Sequence, residues 1–424
     1  MERTLSWQDV RDAPSLSNHN YRFVEISNRK YRKPPIWFSV KVNRIDGNSQ
    51  QTTCHPGSIF EGTVNIKLET PIAAQYLKLV FKGAEKIHSD VIGKEHKRKG
   101  ERLFAIRTVL WGIPDDNEIQ TQWPIIEPGE HQFPFMCEMP MVNYPPTFRH
   151  HLASCEFELV ACLERPGIRP FQTTPYYLRY EPFLSSSQSK QAALYQEKVR
   201  LSNAYKATIS LPGGCQYNLL DTRSIPLELS IQHLLNKQQP SEVLNHIEVY
   251  VKRQVDVTHG TYFRSDTMVM SHVDQSTFRL KRTKAGTRTF AITLPLPTRI
   301  NPDLDQTTQR NFEVLGMTTH IDFSKHIHMN YRLYVTAKVK HGLIWTKRQL
   351  FCIPLHFGTM SRGEQVPSSL VSYRDPVVTA DTTLSTKPRF IRAPSLDEQL
   401  PAYDEETSPP VYQHTFGLFR LVST

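Results

Sequence analysis

Apolar and polar residues alternate along many short stretches of the chain. In residues 64–69 every second residue is apolar, and the intervening residues are polar or charged. Similar alternation recurs in residues 77–82, 157–164, 227–232, 247–252 and 331–340. Because successive side chains of a strand point to opposite faces, each stretch predicts a strand with one buried and one solvated face. The pattern is typical of antiparallel sheets stacked as a sandwich and disfavours a parallel sheet buried on both faces.

The predicted strands recur in the same order in the two halves of the chain. Residues 64–69 are followed by 76–82, just as residues 227–232 are followed by 247–252. Each half then has a glycine, a phenylalanine and a proline at identical spacing: Gly129, Phe133 and Pro140, and Gly286, Phe290 and Pro297. Each half closes on a long alternating strand, residues 157–164 or 331–340. We therefore predict two copies of one β-sandwich, with an insertion around residues 301–316 in the second copy.

Breaks in this alternation divide the chain into five parts. Residues 1–35 are predicted to be a flexible extension, residues 36–182 the first sandwich and residues 203–357 the second. Between them, residues 183–202 are predicted to be a linker that forms a short exposed helix or a hinge. Residues 358–424 are rich in Ser, Thr and Pro and poor in core-forming residues, so they are predicted to be a disordered tail.

The composition bears on the number of domains, the charge of possible ligands and the compartment. Its 424 residues allow two or three cores, and its formal net charge of +10 suits phosphates, anionic lipids or acidic proteins without choosing among them. The six cysteines form no CxxC pair, so we expect reduced, mostly buried thiols in a cytosolic protein. We expect neither a signal peptide nor a membrane span, because no apolar run of sufficient length occurs.

Several short motifs surround the strands of the first half. Residues 55–62 read HPGSIFEG, residues 128–135 read PGEHQFPF, and residues 145–148 read PPTF after a Met-Pro pair at 139–140. They resemble the PGxHxFPF and LP…PPSF motifs of arrestin-fold proteins, specifically the alpha-arrestin branch common in fungi. The resemblance covers residues 36–357 and implies two tandem immunoglobulin-like β-sandwiches. Ser58 stands where that family often has an acidic residue, and the polar interdomain core of visual-type arrestins is not recognisable.

Two tyrosine-containing proline motifs lie in the predicted tail. They are an LPxY and a PPxY motif, formed by Leu400, Pro401 and Tyr403 and by Pro409, Pro410 and Tyr412. The resemblance implies that they recruit a HECT-type ubiquitin ligase through its WW domains. Proline-rich segments favour the extended polyproline II conformation that WW domains bind. The same resemblance implies a cytoplasmic adaptor, recruited to the plasma membrane and endosomes, whose sandwiches select a transporter or receptor as cargo.

Further residues are candidates for ligand contact or modification. Two basic runs, at similar places in the two halves, could bind anionic lipid or acidic cargo tails or be solvated loops: Lys97, Arg98 and Lys99, and Lys281, Arg282 and Lys284. Neither run is interleaved with aromatic residues, so nucleic acid is not expected. Ser395 lies three residues after Arg392, as in sites of basic-directed kinases, and is a candidate phosphosite. No metal site is expected, because His326 and His328 share one strand face without a third ligand, and His150 and His151 would point apart on a strand.

No enzyme signature occurs in the chain. GxSxG, the P-loop, HExxH and a GxGxxG after a strand are all absent, so we expect no enzyme and no cofactor. Two alternatives to the ligase adaptor remain open. One is an arrestin-fold sorting scaffold, similar to a retromer subunit, that acts without a ligase. The other is a hydrolase or lipid-transfer protein on a β-sandwich, which would require a deep pocket with converging polar groups.

Overall fold

The structure is a computed structural model. It describes residues 36–43, 52–88, 100–112, 124–165, 168–187, 191, 193–201, 205–233, 243–279, 286–297, 317–341, 344–375 and 386–391. Strands dominate these residues, and no α-helix occurs among them. Accordingly, no helix in this part of the chain could cross a membrane.

Thirteen strands belong to the first half of the chain. They are β1 (Ile36–Val42), β2 (Thr53–Cys54), β3 (Ile59–Leu68), β4 (Ile72–Ala73), β5 (Tyr76–Ile87), β6 (Gly100–Gly112), β7 (Ile125–Ile126), β8 (Gly129–Glu138), β9 (Val142–Asn143), β10 (Phe148–Arg149), β11 (Ala153–Arg165), β12 (Ile168–Gln172) and β13 (Tyr176–Tyr180).

Eleven strands follow in the remainder of the described chain. They are β14 (Tyr195–Arg200), β15 (Tyr205–Leu211), β16 (Gln216–Asn218), β17 (Ser224–His233), β18 (Val243–His259), β19 (Tyr262–Arg279), β20 (Gly286–Pro295), β21 (Ile327–His341), β22 (Ile344–Gly358), β23 (Val371–Ser372) and β24 (Arg389–Ile391).

The first sandwich packs two sheets against each other. One has the strand order β1-β3-β8-β24, and the other has a main path β2-β13-β11-β5-β6. The alternation decides which side chains form the core between them: Val64, Ile66 and Leu68 of β3 are buried, whereas Lys67 and Glu69 are exposed. Burial of such apolar side chains is the main source of stability of the sandwich.

The second sandwich repeats this design. Its sheets have the orders β14-β15-β17-β20 and β16-β22-β21-β18-β19. The five-stranded order matches that of the first sandwich strand for strand, including a parallel edge pair, β2 with β13 and β16 with β22. The predicted repeat is therefore confirmed, since β1-β3-β8 and β11-β5 follow the same order as β15-β17-β20 and β21-β18, although β8 also pairs with β24 whereas β20 is an edge strand. The predicted insertion at residues 301–316 lies outside the described residues.

The segment between the sandwiches differs from its prediction. Residues 183–202 were expected to form an exposed helix or a hinge, but they include β14, which pairs antiparallel with β15. Only Tyr195 and Val199 are apolar on the half-buried face of this strand, so its alternation is weak in the sequence. The linker thus ends before Tyr195, and β14 extends the second sandwich at its edge.

The segment after the second sandwich also differs from its prediction. Residues 358–424 were expected to be a disordered tail, but β23 pairs parallel with β9 and β24 pairs antiparallel with β8 of the first sandwich. We call residues 358–375 and 386–391 the return segment. Its strands are two and three residues long and are held largely by backbone hydrogen bonds, which composition does not reveal. The predicted tail is thereby restricted to residues after Ile391, which lie outside the described residues.

The six cysteines agree with the expectation from their spacing. All are free, four of them are buried, and Cys215 and Cys352 are partly buried. Burial raises the pKa of Cys54 and of Cys162 to about 12, which keeps both thiols protonated and unreactive at neutral pH.

Candidate functional site

The two sandwiches meet through equivalent ends. In the first sandwich this end is formed by the C-terminal end of β5, the N-terminal end of β6 and the turn before β11. In the second it is formed by the C-terminal end of β18, the N-terminal end of β19 and residues 323–326, which precede β21. Several charged and polar side chains lie in this contact. We call Glu85, Glu101, Ser324, Lys325 and His326 the interdomain cluster.

Glu101 is the centre of hydrogen bonding in the interdomain cluster. Lys325 Nζ lies 2.5 Å from its Oε1, and His326 Nε2 lies 2.8 Å from its Oε2. The other ring nitrogen of His326, Nδ1, lies 3.1 Å from the backbone oxygen of Thr258. One carboxylate of the first sandwich thus binds a lysine and a histidine of the second.

Glu85 lies beside this ion pair without a comparable partner. It is 0% exposed, and in the ladder of β5 and β6 it pairs directly with Glu101. Neither of its carboxylate oxygens has a hydrogen-bond partner among the described residues. Burial raises the pKa of Glu85 to about 7, while Ser324 and His326 limit the rise. A buried carboxyl at the contact between two domains is therefore close to its titration midpoint at neutral pH.

A second polar contact joins the sandwiches beside the interdomain cluster. His150, in the turn before β11, places Nε2 3.1 Å from Oδ2 of Asp266 on β19. The neighbouring His151 places Nδ1 3.9 Å from the same oxygen. Since His150 is buried and Asp266 is only partly exposed, this contact is shielded from water on one side.

The return segment closes over the same contact. Arg374 donates from Nε to the backbone oxygen of Ser324 at 2.7 Å, and the ring of Tyr373 lies 5.6 Å from that of Tyr144. Tyr144 in turn donates to the backbone oxygen of Thr386 at 2.5 Å. One segment therefore binds the second sandwich at residue 324 and the first sandwich at Tyr144 before it reaches β24.

β24 ends the described chain on the first sandwich. Its three residues pair with β8, from Arg389 opposite Glu138 to Ile391 opposite Met136. Phe390 packs edge-on against Phe135, with ring centroids 6.4 Å apart. Arg389 Nε also lies 2.5 Å from Glu138 Oε2. The chain that carries the two proline motifs consequently leaves from the edge of this sheet.

The binding and modification residues predicted from the sequence lie outside the described residues. They are Leu400, Pro401, Tyr403, Pro409, Pro410 and Tyr412, the basic residues Lys97, Arg98, Lys99, Lys281, Arg282 and Lys284, and Ser395. All of them stay predictions.

The expected equivalence of the two basic runs is wrong. The run at 97–99 lies between β5 and β6, whose counterparts are β18 and β19, whereas the run at 281–284 lies between β19 and β20. The first connection leaves the sandwich at the interdomain end. The second leaves beyond Arg279, which pairs with Asn245 at the opposite end of β18. The two runs therefore lie in connections that the repeat does not relate to each other.

The histidine pairs also differ from expectation. His326 precedes β21 and binds Glu101, while His328 packs against His320 with ring centroids 5.7 Å apart, so the two rings do not converge. His150 and His151 were expected to point apart if they lay on a strand. They lie in the turn after β10 instead, and their ring centroids are 4.2 Å apart.

Sequence reasoning missed the interdomain cluster. The sequence contained one sign of it. Glu85 lies an even number of residues after Leu77, Leu79 and Phe81 on β5, so its side chain is predicted to face the core as theirs do. The contacts of Glu101 had no comparable signal, since Lys325 lies 224 residues further along the chain.

Comparison with known proteins identifies the first sandwich. Residues 43–177 match the family model of the N-terminal domain of arrestin (or S-antigen), a range that runs from β2 through β12 into β13. No curated protein matches the chain. The match supports the arrestin family, and the two all-β sandwiches have the arrestin fold.

Proposed function

We propose that this arrestin-fold chain is an alpha-arrestin-like adaptor that recruits a WW-domain HECT ubiquitin ligase to membrane proteins. In this role it is not an enzyme and needs no cofactor. It acts in the cytoplasm, reaches the plasma membrane and endosomes peripherally, and promotes ubiquitination, endocytosis and sorting of a transporter or receptor. An arrestin fold suggests a trafficking adaptor in general, and the two proline motifs are the reason for the more specific proposal.

The docking of β24 on β8 supports the proposal, because it anchors the chain shortly before these motifs. It fixes Ile391 to the first sandwich, and Leu400 follows only nine residues later. An extended chain spans at most about 3.3–3.6 Å per residue, so the LPxY motif can reach about 30 Å from this anchor. Tyr412, 21 residues after Ile391, can reach about 70 Å by the same estimate. A ligase bound there would be held close to any cargo that the sandwiches bind.

Two neighbouring motifs also suit a ligase that has several WW domains. Tyr403 and Tyr412 are nine residues apart, which is about 28 Å in a polyproline II segment at about 3.1 Å per residue. Linking two weak contacts in this way can increase overall affinity by about 10²–10⁴ when both bind together. The acidic residues near the motifs, Asp404, Glu405 and Glu406, favour a solvated segment.

Binding of the full chain to the tandem WW domains of a HECT ligase tests the proposal. We would compare wild type, Tyr403→Ala, Tyr412→Ala and the double variant by fluorescence anisotropy. Ala402→Ser and Val411→Ala, at the variable position of each motif, are matched controls. We expect wild-type and control affinities at micromolar strength or better, weaker binding by each tyrosine variant and none by the double variant. Equal binding by all chains, or no binding, would instead favour an arrestin-fold sorting scaffold that acts without a ligase.

A further inference from the structure

His150, His151 and Asp266 bring three metal-binding atoms together at the contact between the sandwiches. The atoms are His150 Nε2, His151 Nδ1 and Asp266 Oδ2, and all lie within 4.8 Å of one another. The carboxylate oxygen is 3.1 Å from the first nitrogen and 3.9 Å from the second. Zinc binds such atoms at about 2.0–2.2 Å, which places neighbouring ligand atoms about 3–3.5 Å apart. Small side-chain movements are therefore sufficient to place all three around one ion.

The residue types also suit a metal ion, because two imidazoles and one carboxylate are ligands that zinc and other late first-row divalent ions accept.

The hydrogen bonds of His150 show what an ion would have to replace. The backbone N–H of Leu152 donates to His150 Nδ1 at 3.3 Å, so the neutral ring carries its proton on Nε2 and donates it to Asp266. A metal ion at Nε2 requires this proton to move to Nδ1, with loss of the long contact to Leu152. The ion would thus exchange two hydrogen bonds for three coordination bonds.

We propose that His150, His151 and Asp266 form a divalent transition-metal site, of the kind that zinc occupies, that joins the two sandwiches. The histidines come from the turn before β11 and the aspartate from β19, so the ion binds both domains at once. The side chains of His151 and Asp266 are 56% and 37% exposed, which leaves the outer coordination positions to water or to a donor on a partner protein. This site is independent of the ligase motifs, and its role is to fix the relative position of the sandwiches.

Cobalt titration of the full chain tests the site directly. Co²⁺ in a low-symmetry nitrogen and oxygen site gives visible absorption bands, and subsequent Zn²⁺ addition should abolish them. We expect one saturable site with micromolar affinity in wild type, and at least a tenfold loss of affinity in His151→Ala and in Asp266→Asn. His272→Ala is the matched control, because His272 is exposed and also lies on β19, away from the three ligands.

A second readout separates metal binding from a general effect on folding. Zinc should raise the melting temperature of wild type and of His272→Ala, and it should leave that of Asp266→Asn unchanged. Circular dichroism without metal checks that each variant is folded. Absence of a saturable cobalt spectrum in folded wild type, or equal affinity in wild type and both ligand variants, would overturn the proposal.

Discussion

Glu85 occupies an inward-facing position of β5 in the same phase as Leu79 and Phe81, yet it is a carboxylic acid. A buried acid is expensive when ionised and much less so when protonated. Its neighbour across the ladder, Glu101, adds a second negative charge, while Ser324 and His326 partly compensate. The protonation state of a single side chain is therefore linked to the stability of the interdomain contact.

The stability of the wild type should fall as the pH rises through the range in which Glu85 titrates. Its pKa is about 7 when folded and about 4.5 when unfolded, so the unfolded state loses its proton first. The contribution is fully present below about pH 4.5, falls between about pH 4.5 and 7, and is lost above that range, a change of about 3 kcal/mol. Glu85→Gln removes this titration. We expect equal urea midpoints for variant and wild type near pH 5, and a higher midpoint for the variant near pH 8.

Glu61→Gln is the control for this measurement, because Glu61 is an exposed carboxylate of the same sandwich. Its substitution should leave the pH dependence of unfolding unchanged. If the midpoints of Glu85→Gln and wild type differed by the same amount near pH 5 and near pH 8, Glu85 would not be the titrating group.

At the scale of elements, β24 protects the edge of a sheet. β8 pairs with β3 on one side, and on its other side, among the described residues, Arg389, Phe390 and Ile391 pair with residues 136–138. Exposed strand edges pair readily with other chains, so a short covering strand also protects against unwanted association.

Phe390→Ala should loosen β24 without unfolding the sandwich. The phenyl ring is partly buried against Phe135, so we expect a loss of about 1 kcal/mol in docking free energy. Hydrogen–deuterium exchange should become faster in residues 136–138 and in 389–391, but not in β17 of the second sandwich. Val366→Ala is the control, because Val366 is an exposed apolar residue of the return segment outside its strands. Unchanged exchange in residues 136–138 would show that the phenyl ring does not hold β24 in place.

The same elements show how far the sequence predicts this structure. Alternation identified β3, β5, β11, β17, β18 and β21, because these strands lie inside the sheets and direct every second side chain into the core. It missed β14, β23 and β24, which lie at edges or are only two or three residues long, so their backbone hydrogen bonds leave little trace in side-chain pattern. The same limit applies to the candidate site. The alternation in β5 predicts that Glu85 faces inward, but it cannot predict neighbours such as Lys325 and His326, which come from distant parts of the chain.

At the scale of the whole molecule, the contact between the sandwiches consists largely of polar groups at equivalent ends of a repeated unit. Polar interfaces between domains commonly permit the domains to move relative to each other. Glu101 binds Lys325 and His326, and the return segment adds Arg374, so four side chains restrain the contact. Substitution of these side chains should therefore weaken the contact between the sandwiches more than it destabilises either core.

Glu101→Gln tests this restraint. The substitution keeps the shape of the side chain but removes the carboxylate that Lys325 and His326 bind, and their partly buried positions make solvation incomplete. The expected loss lies between those of exposed and buried ion pairs, about 1–3 kcal/mol. Glu130→Gln is the matched control, because it removes the Lys67–Glu130 pair, whose side chains are 60% and 68% exposed, and it should have the smaller effect on the free energy of unfolding. Hydrogen exchange in residues 320–328 should accelerate in Glu101→Gln alone, while that of β3 and β17 stays at the wild-type rate. Faster exchange in both cores would mean that Glu101 stabilises the sandwiches themselves, and wild-type exchange throughout would mean that the contact does not depend on this ion pair.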